Sequence, residues 1–224
     1  MKFLKITIFF LLSILSMRQY QAMAQRSVNF SGYEWWIRNG SGGPGPNQWS
    51  NSDSSVWLDK SGYLHLKIRK TGDNWYCSEV NLNASLGYGS YKFVVESDLA
   101  ELDQNTVVGL FLYEEDTKEI DIEFARWGNI LEVPGWYTVQ PPPYTASNQH
   151  SFDIDTSVAI STHSFDWLPD KTYFKSIKGV EEVVPPNNKG HQSMKFPCFN
   201  CSNVYARPRS APLAISVFLY EMTS

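Results

Sequence analysis

Three carboxylates stand at alternate positions in Glu119-Ile-Asp121-Ile-Glu123-Phe124. In an extended strand, residues i, i+2 and i+4 share a face. Glu119, Asp121 and Glu123 therefore line one side, and Ile120, Ile122 and Phe124 line the other, which must be the core. Like charges in a row raise one another's pKa wherever solvent is restricted. A purely structural sheet would interleave Lys or Thr. The row suits chemistry that needs one ionised and one protonated carboxyl group side by side, as glycoside hydrolysis does. At ~3.4 Å per residue the Glu119 and Glu123 α-carbons lie ~13 Å apart. Both side chains can lean over the shorter Asp121 and bring their carboxyl groups toward the ~5–5.5 Å of a retaining enzyme. The expectation is a strip facing solvent, with Glu123 protonated and the charge carried by Glu119 and Asp121. A solvated acidic face and a calcium site built from oxygen ligands satisfy the same spacing.

Aromatic residues crowd the strip. Trp127 follows it directly, and Trp136 and Tyr137 come soon after. Phe111 and Tyr113 lie on the preceding run, joined to it by a turn at Glu114 to Lys118. Flat C–H faces of sugar rings stack on such side chains, while ring hydroxyls bond to amides and carboxylates. An aromatic in a β-sandwich is also a common core residue.

The elements that must hold the strip are short alternating runs separated by turn residues. They are Tyr33 to Arg38, Val56 to Asp59, Tyr63 to Lys70, Trp75 to Leu82, Tyr88 to Ser97, Val107 to Tyr113, Glu119 to Arg126, Phe152 to Asp155, Ala159 to Trp167 and Lys171 to Ile177. Between Tyr63 and Lys70, Leu64, Leu66 and Ile68 alternate with His65, Lys67 and Arg69, which gives one buried and one wet face. Asn39 to Asn47 reads as a loop, and Ala211 to Tyr220 has a strand's length. No helical period holds for three turns. The pattern is that of an all-β sandwich, and a closed barrel meets the same description.

The chain has 224 residues, 19% of them charged, and a formal net charge of −4. That charge excludes a nucleic-acid polyanion as partner, since such binding rests on Lys and Arg. Lys2 and Lys5, the apolar run Ile6 to Met17 and the small residues Ala22 and Ala24 predict a signal peptide over 1–24. One domain over 25–224, secreted or periplasmic and monomeric, is the expectation, with no membrane contact after cleavage. Cys77, Cys198 and Cys201 are an odd set in which Cys198-Phe-Asn-Cys201 has C-x-x-C spacing. A local disulfide or two unrelated thiols is the plain reading, and no metal set is completed.

Glu119-Ile-Asp-Ile-Glu123 resembles the E-x-D-x-E signature of glycoside hydrolase family 16. Tyr88-Gly-Ser-Tyr91, Gly109-Leu-Phe-Leu-Tyr113 and Ser164-Phe-Asp-Trp-Leu-Pro169 resemble family segments in the same order. The resemblance covers about residues 28 to 180. It implies a concanavalin A-like jelly-roll β-sandwich with a concave cleft for a polysaccharide, and hydrolysis of a β-linked glycan with retention. It implies Glu119 as nucleophile, Asp121 as assisting carboxylate and Glu123 as acid/base. It implies Glu79, Phe111, Tyr113, Trp127, Tyr137 and Gln140 as sugar contacts. It implies no cofactor, and a structural calcium ion is left open. The unbulged signature resembles the lichenase and xyloglucan branches more than laminarinases. Three features depart from the family. Cys77 has no earlier cysteine partner, and Gln48 stands near that place. Ser-Ile-Lys-Gly179 replaces the family's V-D-G. Beyond about Val184 the Asn-Leu-Trp segment is missing, and Pro197 argues against a central strand there. The last forty residues therefore leave the sandwich's closing strands and full activity open, and a non-catalytic carbohydrate-binding sandwich is the rival reading.

Overall fold

A computed structural model of the chain describes residues 25–132, 134–154, 159–180, 193–197 and 214–221. The expected leader and the Cys198–Cys201 pair lie outside the described residues. The strands, numbered in chain order, form two principal sheets. The larger holds, from edge to edge, β1 (Ser27–Phe30), β2 (Tyr33–Ile37), β9 (Ser78–Asn83), β18 (Ala214–Glu221), β11 (Thr106–Glu115), β12 (Lys118–Ala125), β13 (Gly135–Val139) and β14 (Gln149–Phe152). The smaller holds β10 (Gly89–Glu96), β15 (Ile160–Leu168), β16 (Lys171–Lys178) and β17 (Ser193–Pro197). Every pairing within both sheets is antiparallel. Three short ribbons decorate them: β3 (Gly40–Gly42) with β4 (Asn47–Trp49), β5 (Val56–Leu58) with β6 (Leu64–Leu66), and β7 (Arg69–Thr71) with β8 (Asn74–Tyr76). The β3–β4 ribbon occupies the segment that its Gly and Pro content marks as a loop.

The core lies between the two sheets, so the sandwich and not the closed barrel is realised. From the larger sheet it takes Trp35, Ile37, Val80, Leu82, Val108, Leu110, Leu112, Ile120, Ile122, Phe124, Tyr137 and Val139; from the smaller, Tyr91, Phe165, Trp167 and Phe174. The period-two alternation of β11 and β12 sends Leu110, Leu112, Ile120, Ile122 and Phe124 inward. Removing each such side chain from water contributes roughly 1.5–3 kcal/mol. A slip of one residue in either strand would expose the whole set. Gly135 is required where β13 meets β14, because a Cβ there would lie 2.6 Å from the Phe152 ring and 2.7 Å from its carbonyl oxygen.

The last residues supply strands to both sheets, which answers the question of the closing strands. β18 is inserted between β9 and β11, in register with both, so the larger sheet is continuous across its middle. β17 extends the smaller sheet as its edge strand, and Pro197 falls at its end, opposite Lys171. A proline at that place removes no inner-ladder hydrogen bond.

A titratable imidazole is buried in this core. His163 on β15 is 2% exposed and lies edge-on to Phe124, with ring centroids 4.6 Å apart. Its Nε2 bonds to Ser161 Oγ at 2.7 Å and its Nδ1 to Ser176 Oγ at 2.8 Å. Tyr137 donates its hydroxyl to the same Ser176 oxygen at 2.6 Å. Ser176 accepts from Tyr137 and gives its own proton to Nδ1, which leaves Nε2–H to donate to Ser161 and makes the imidazole neutral. Burial lowers the His163 pKa to about 4. The folded pKa lies below the unfolded value of about 6.5, so neutral His163 carries no penalty above pH 6.5. The charging penalty then grows as pH falls from 6.5 to about 4. We expect chemical denaturation to show a stability loss on the order of 3 kcal/mol across that window. His163→Phe should remove most of it, and an equal pH slope in that variant would refute the assignment.

Candidate active site

The outer face of the larger sheet carries the carboxylates. Register lines up rows of side chains across the strands, each row on that face. Glu123 pairs with Gly109 on one side and Trp136 on the other. Asp121 stands between Phe111 and Thr138. Glu119 pairs with Tyr113, and the Gln140 amide donates to the Glu119 carbonyl at 3.0 Å. The rows continue past β18 to β9, where Glu79 is in register with Phe218 and Asn81 with Ser216. A second buried cluster of Trp49, Cys77, Val107, Phe111 and Ala125, with Tyr113 against it, seals one end of this face. The strip is therefore walled on its flank and does not face open solvent as expected.

That enclosure sets the charge. Asp121 is only 4% exposed. Burial raises its pKa well above the usual range, and Glu119 and Glu123 push it the same way, against a hydrogen bond from Gln140. Burial raises Glu119 to about 7; a hydrogen bond from Asp121 opposes the rise and the charge of Asp116 adds to it. Glu123 is raised to about 7, first by burial and then by the charge of Glu119. All three carboxyls are thus pushed toward their protonated forms, a direction that runs against the expectation that Asp121 carries charge.

The predicted sugar contacts divide. Phe111, Tyr113 and Gln140 flank the strip. Tyr113 donates to Asp116 Oδ1 at 2.7 Å, and this bond, ahead of burial, raises its pKa to about 12. Gln140 also accepts from the Tyr144 hydroxyl at 3.0 Å. Trp127 is 40% exposed and has a left-handed φ of 50°, strained for a bulky residue. Its ring meets Trp136 edge-on at 6.3 Å. Trp136 is held by a bond from Nε1 to the Ala125 carbonyl at 3.0 Å, so the two indoles form a wall beside Glu123. Glu79 lies on the same face three strands away from Glu123 and is held by Arg38 at 2.7 Å and Asn81 at 3.3 Å. Arg38 also covers the Trp49 ring at 4.3 Å.

Tyr137 is the exception. It pairs with Ile122 and points into the core, 4% exposed, stacked on Phe152 and Phe174. It is not on the cleft face; Trp136 and Thr138 are. The alternation of β13 carries that information only once its register with β12 is known. Cys77, in place of the family's disulfide partner, is a buried thiol with Sγ 3.6 Å from Asn47 Oδ1, and its amide bonds to the Gln48 carbonyl at 2.7 Å. Among the described residues no group of three or more His, Cys, Asp or Glu is arranged to hold a metal ion.

The strip has a cost to folding that can be measured. A carboxyl whose folded pKa is raised adds no penalty below its unfolded value of about 4.5; the penalty grows as pH rises from there to about 7 and is complete above it. Glu123→Gln should therefore stabilise the protein at pH 8 and leave it nearly unchanged at pH 4. Thermal denaturation at both values checks this, and a destabilised variant at pH 8 would show that ionised Glu123 is favourably held.

No family model matches the sequence, and no curated protein matches it either. Solved structures do. A β-glucanase of Bacillus licheniformis is 19% identical, with a TM-score of 0.55 over 90% of this chain and 86% of that one. SCLam, a non-specific endo-β-1,3(4)-glucanase from family GH16, is 15% identical, with a TM-score of 0.57 over 91% of this chain and 76% of that one. An immunostimulatory antigen and pseudo β-1,3-glucanase of Mycobacterium tuberculosis is 17% identical, with a TM-score of 0.56 over 84% of this chain and 80% of that one. At such identities the likeness is one of fold, and the fold of this chain is the jelly-roll β-sandwich of the family 16 glycoside hydrolases.

Proposed function

We propose that the protein is an exported, monomeric endo-glycosidase that hydrolyses a β-linked glucan with retention of configuration. The observation that carries the reading is the row of Glu119, Asp121 and Glu123 on one face of β12, flanked in register by Phe111, Tyr113, Trp136 and Thr138, with Glu119 and Glu123 both raised to about 7. A retaining glycosidase needs one of the two glutamates ionised and the other protonated, and this reading assigns the charge to Glu119 and the proton to Glu123. Glu119 Oε attacks the anomeric carbon, and the bond to the leaving oxygen breaks as Glu123 donates its proton there. Glu123, now a carboxylate, takes a proton from water, and the resulting hydroxide displaces Glu119 from the sugar. Asp121 gives its hydrogen bond to Glu119 while that group is charged and loses little by it once the glycosyl ester forms. Phe111, Tyr113, Trp127, Trp136 and Gln140 would hold the sugars around the scissile bond. The β-glucanases with which the fold is shared support a glucan as substrate.

The test is reducing-sugar release from barley β-glucan, laminarin and xyloglucan. Glu119→Gln and Glu123→Gln should each lose at least a thousandfold in kcat/KM, about 4 kcal/mol in barrier. Retention of activity within tenfold in either would remove its role. Early-time proton NMR should show the β-anomer first. The active form has Glu119 ionised and Glu123 protonated, and both titrate near 7. The pH profile should therefore be a narrow bell centred near neutrality, its alkaline limb reporting Glu123. The neighbour described as a pseudo β-1,3-glucanase favours a second reading, a sandwich that binds glucan without cutting it. Saturable binding with no sugar released by the unsubstituted protein would establish it.

A further inference from the structure

β13 ends at Val139, opposite Ile120. The next residue, Gln140, has its backbone amide bonded to the Glu119 carbonyl, and alternation from Thr138 puts its side chain on the cleft face. There the carboxamide donates to the buried Asp121. A carboxyl group holds one proton at most. Asp121 gives its own to Glu119, so toward Gln140 it can only accept, and the Nε2 of Gln140 must face it. That leaves Gln140 Oε1 turned away as an acceptor. The Tyr144 hydroxyl donates to it at 3.0 Å. Donors thus run one way, from Tyr144 through Gln140 and Asp121 to Glu119, and hydrogen bonds aligned in this manner polarise one another.

The segment that carries Tyr144 is tied in place. Pro141, Pro142 and Pro143 each fix φ. Asn148 joins the two ends of the segment. Its Nδ2 donates to the carbonyls of Val139 at 3.2 Å and Pro141 at 3.0 Å, and its Oδ1 accepts from the Thr145 amide at 2.8 Å. The Tyr144 ring is 47% exposed, so the hydroxyl bond and the tied backbone, more than burial, set where it stands.

We propose that Tyr144 is a positioning residue for the reaction: it holds the Gln140 carboxamide with Nε2 toward Asp121 and so keeps the Asp121 proton aimed at Glu119. Without the phenol hydroxyl the carboxamide can turn end for end. Oε1 would then face Asp121 and compete with Glu119 for that proton. Tyr144 acts through two other side chains and needs no contact with the sugar. The inference rests on the proposed glycosidase reading, because only there is Glu119 the nucleophile.

The test measures kcat and KM on barley β-glucan for Tyr144→Phe, Gln140→Met and the double variant, with thermal denaturation of each. Tyr144→Phe keeps the ring and removes only the donor. It should lower kcat about tenfold with KM within about twofold and a melting temperature close to that of the unsubstituted protein. In the Gln140→Met background, which has no carboxamide to orient, Tyr144→Phe should change kcat by less than about twofold. Full kcat in Tyr144→Phe overturns the proposal, and so does a loss confined to KM. An equal loss of kcat in the Gln140→Met background also overturns it, since the hydroxyl would then act without Gln140. Each of these results in an active protein removes the positioning role alone. An unsubstituted protein that releases no sugar overturns the glycosidase reading and this role with it.

Discussion

Burying Ile120, Ile122 and Phe124 against the smaller sheet forces Glu119, Asp121 and Glu123 onto the opposite face of the same strand, and that face is itself half enclosed. The two requirements belong to one strand and cannot be relaxed separately. Three ionised carboxylates in a row, short of water, repel one another and lose hydration, and the strip lowers its charge by taking up protons. Phe111 and the cluster around Trp49 and Cys77 keep water from the strip's flank. The Gln140 hydrogen bond lowers Asp121 and the Asp121-to-Glu119 hydrogen bond lowers Glu119, each against the rise from burial. The raised carboxyls are thus a product of packing.

The other face of the sheet fixes which side chains reach the strip. Tyr137 is drawn inward by its stacks on Phe152 and Phe174 and by its bond to Ser176, which also serves His163. With Tyr137 inside, alternation must send Trp136 and Thr138 outward, to either side of it. The Trp136 wall beside Glu123 is therefore held from the core. A phenol that found no partner inward would loosen β13 and blur the register on which the wall depends.

Local alternation made much of this legible in the sequence. The parity of Glu119 to Phe124, the pairing of Phe111 and Tyr113 with the strip through a short turn, and the sandwich itself all follow from neighbours a few residues apart. What could not be read is set by distant pairings. Tyr137 and Trp136 are adjacent aromatics, and nothing near them says which faces inward until Ile122 is known to lie opposite Tyr137. β18 enters the centre of the sheet about a hundred residues after β11, a pairing no local period reports. Pro197 is compatible with β17 because that strand is an edge. Trp127 owes its position to a left-handed turn that a bulky residue rarely adopts.

The contrast between the two ends of the face bears on mechanism. At the β2–β9 end, Glu79 has a guanidinium 2.7 Å away. At the β12 end, the shifts of Glu119, Asp121 and Glu123 have burial, hydrogen bonds and other carboxylates as their causes, and no cation among them. An arginine placed against Glu123 as Arg38 is placed against Glu79 would favour its ionised form and strip the acid of its proton near neutral pH. It would also relieve the repulsion that makes the strip costly to fold. A sequence shaped for stability alone would bring that cation in. Keeping cations at the distal end leaves the carboxylates short of charge, and a carboxyl group that still holds a proton near pH 7 can act as a general acid there.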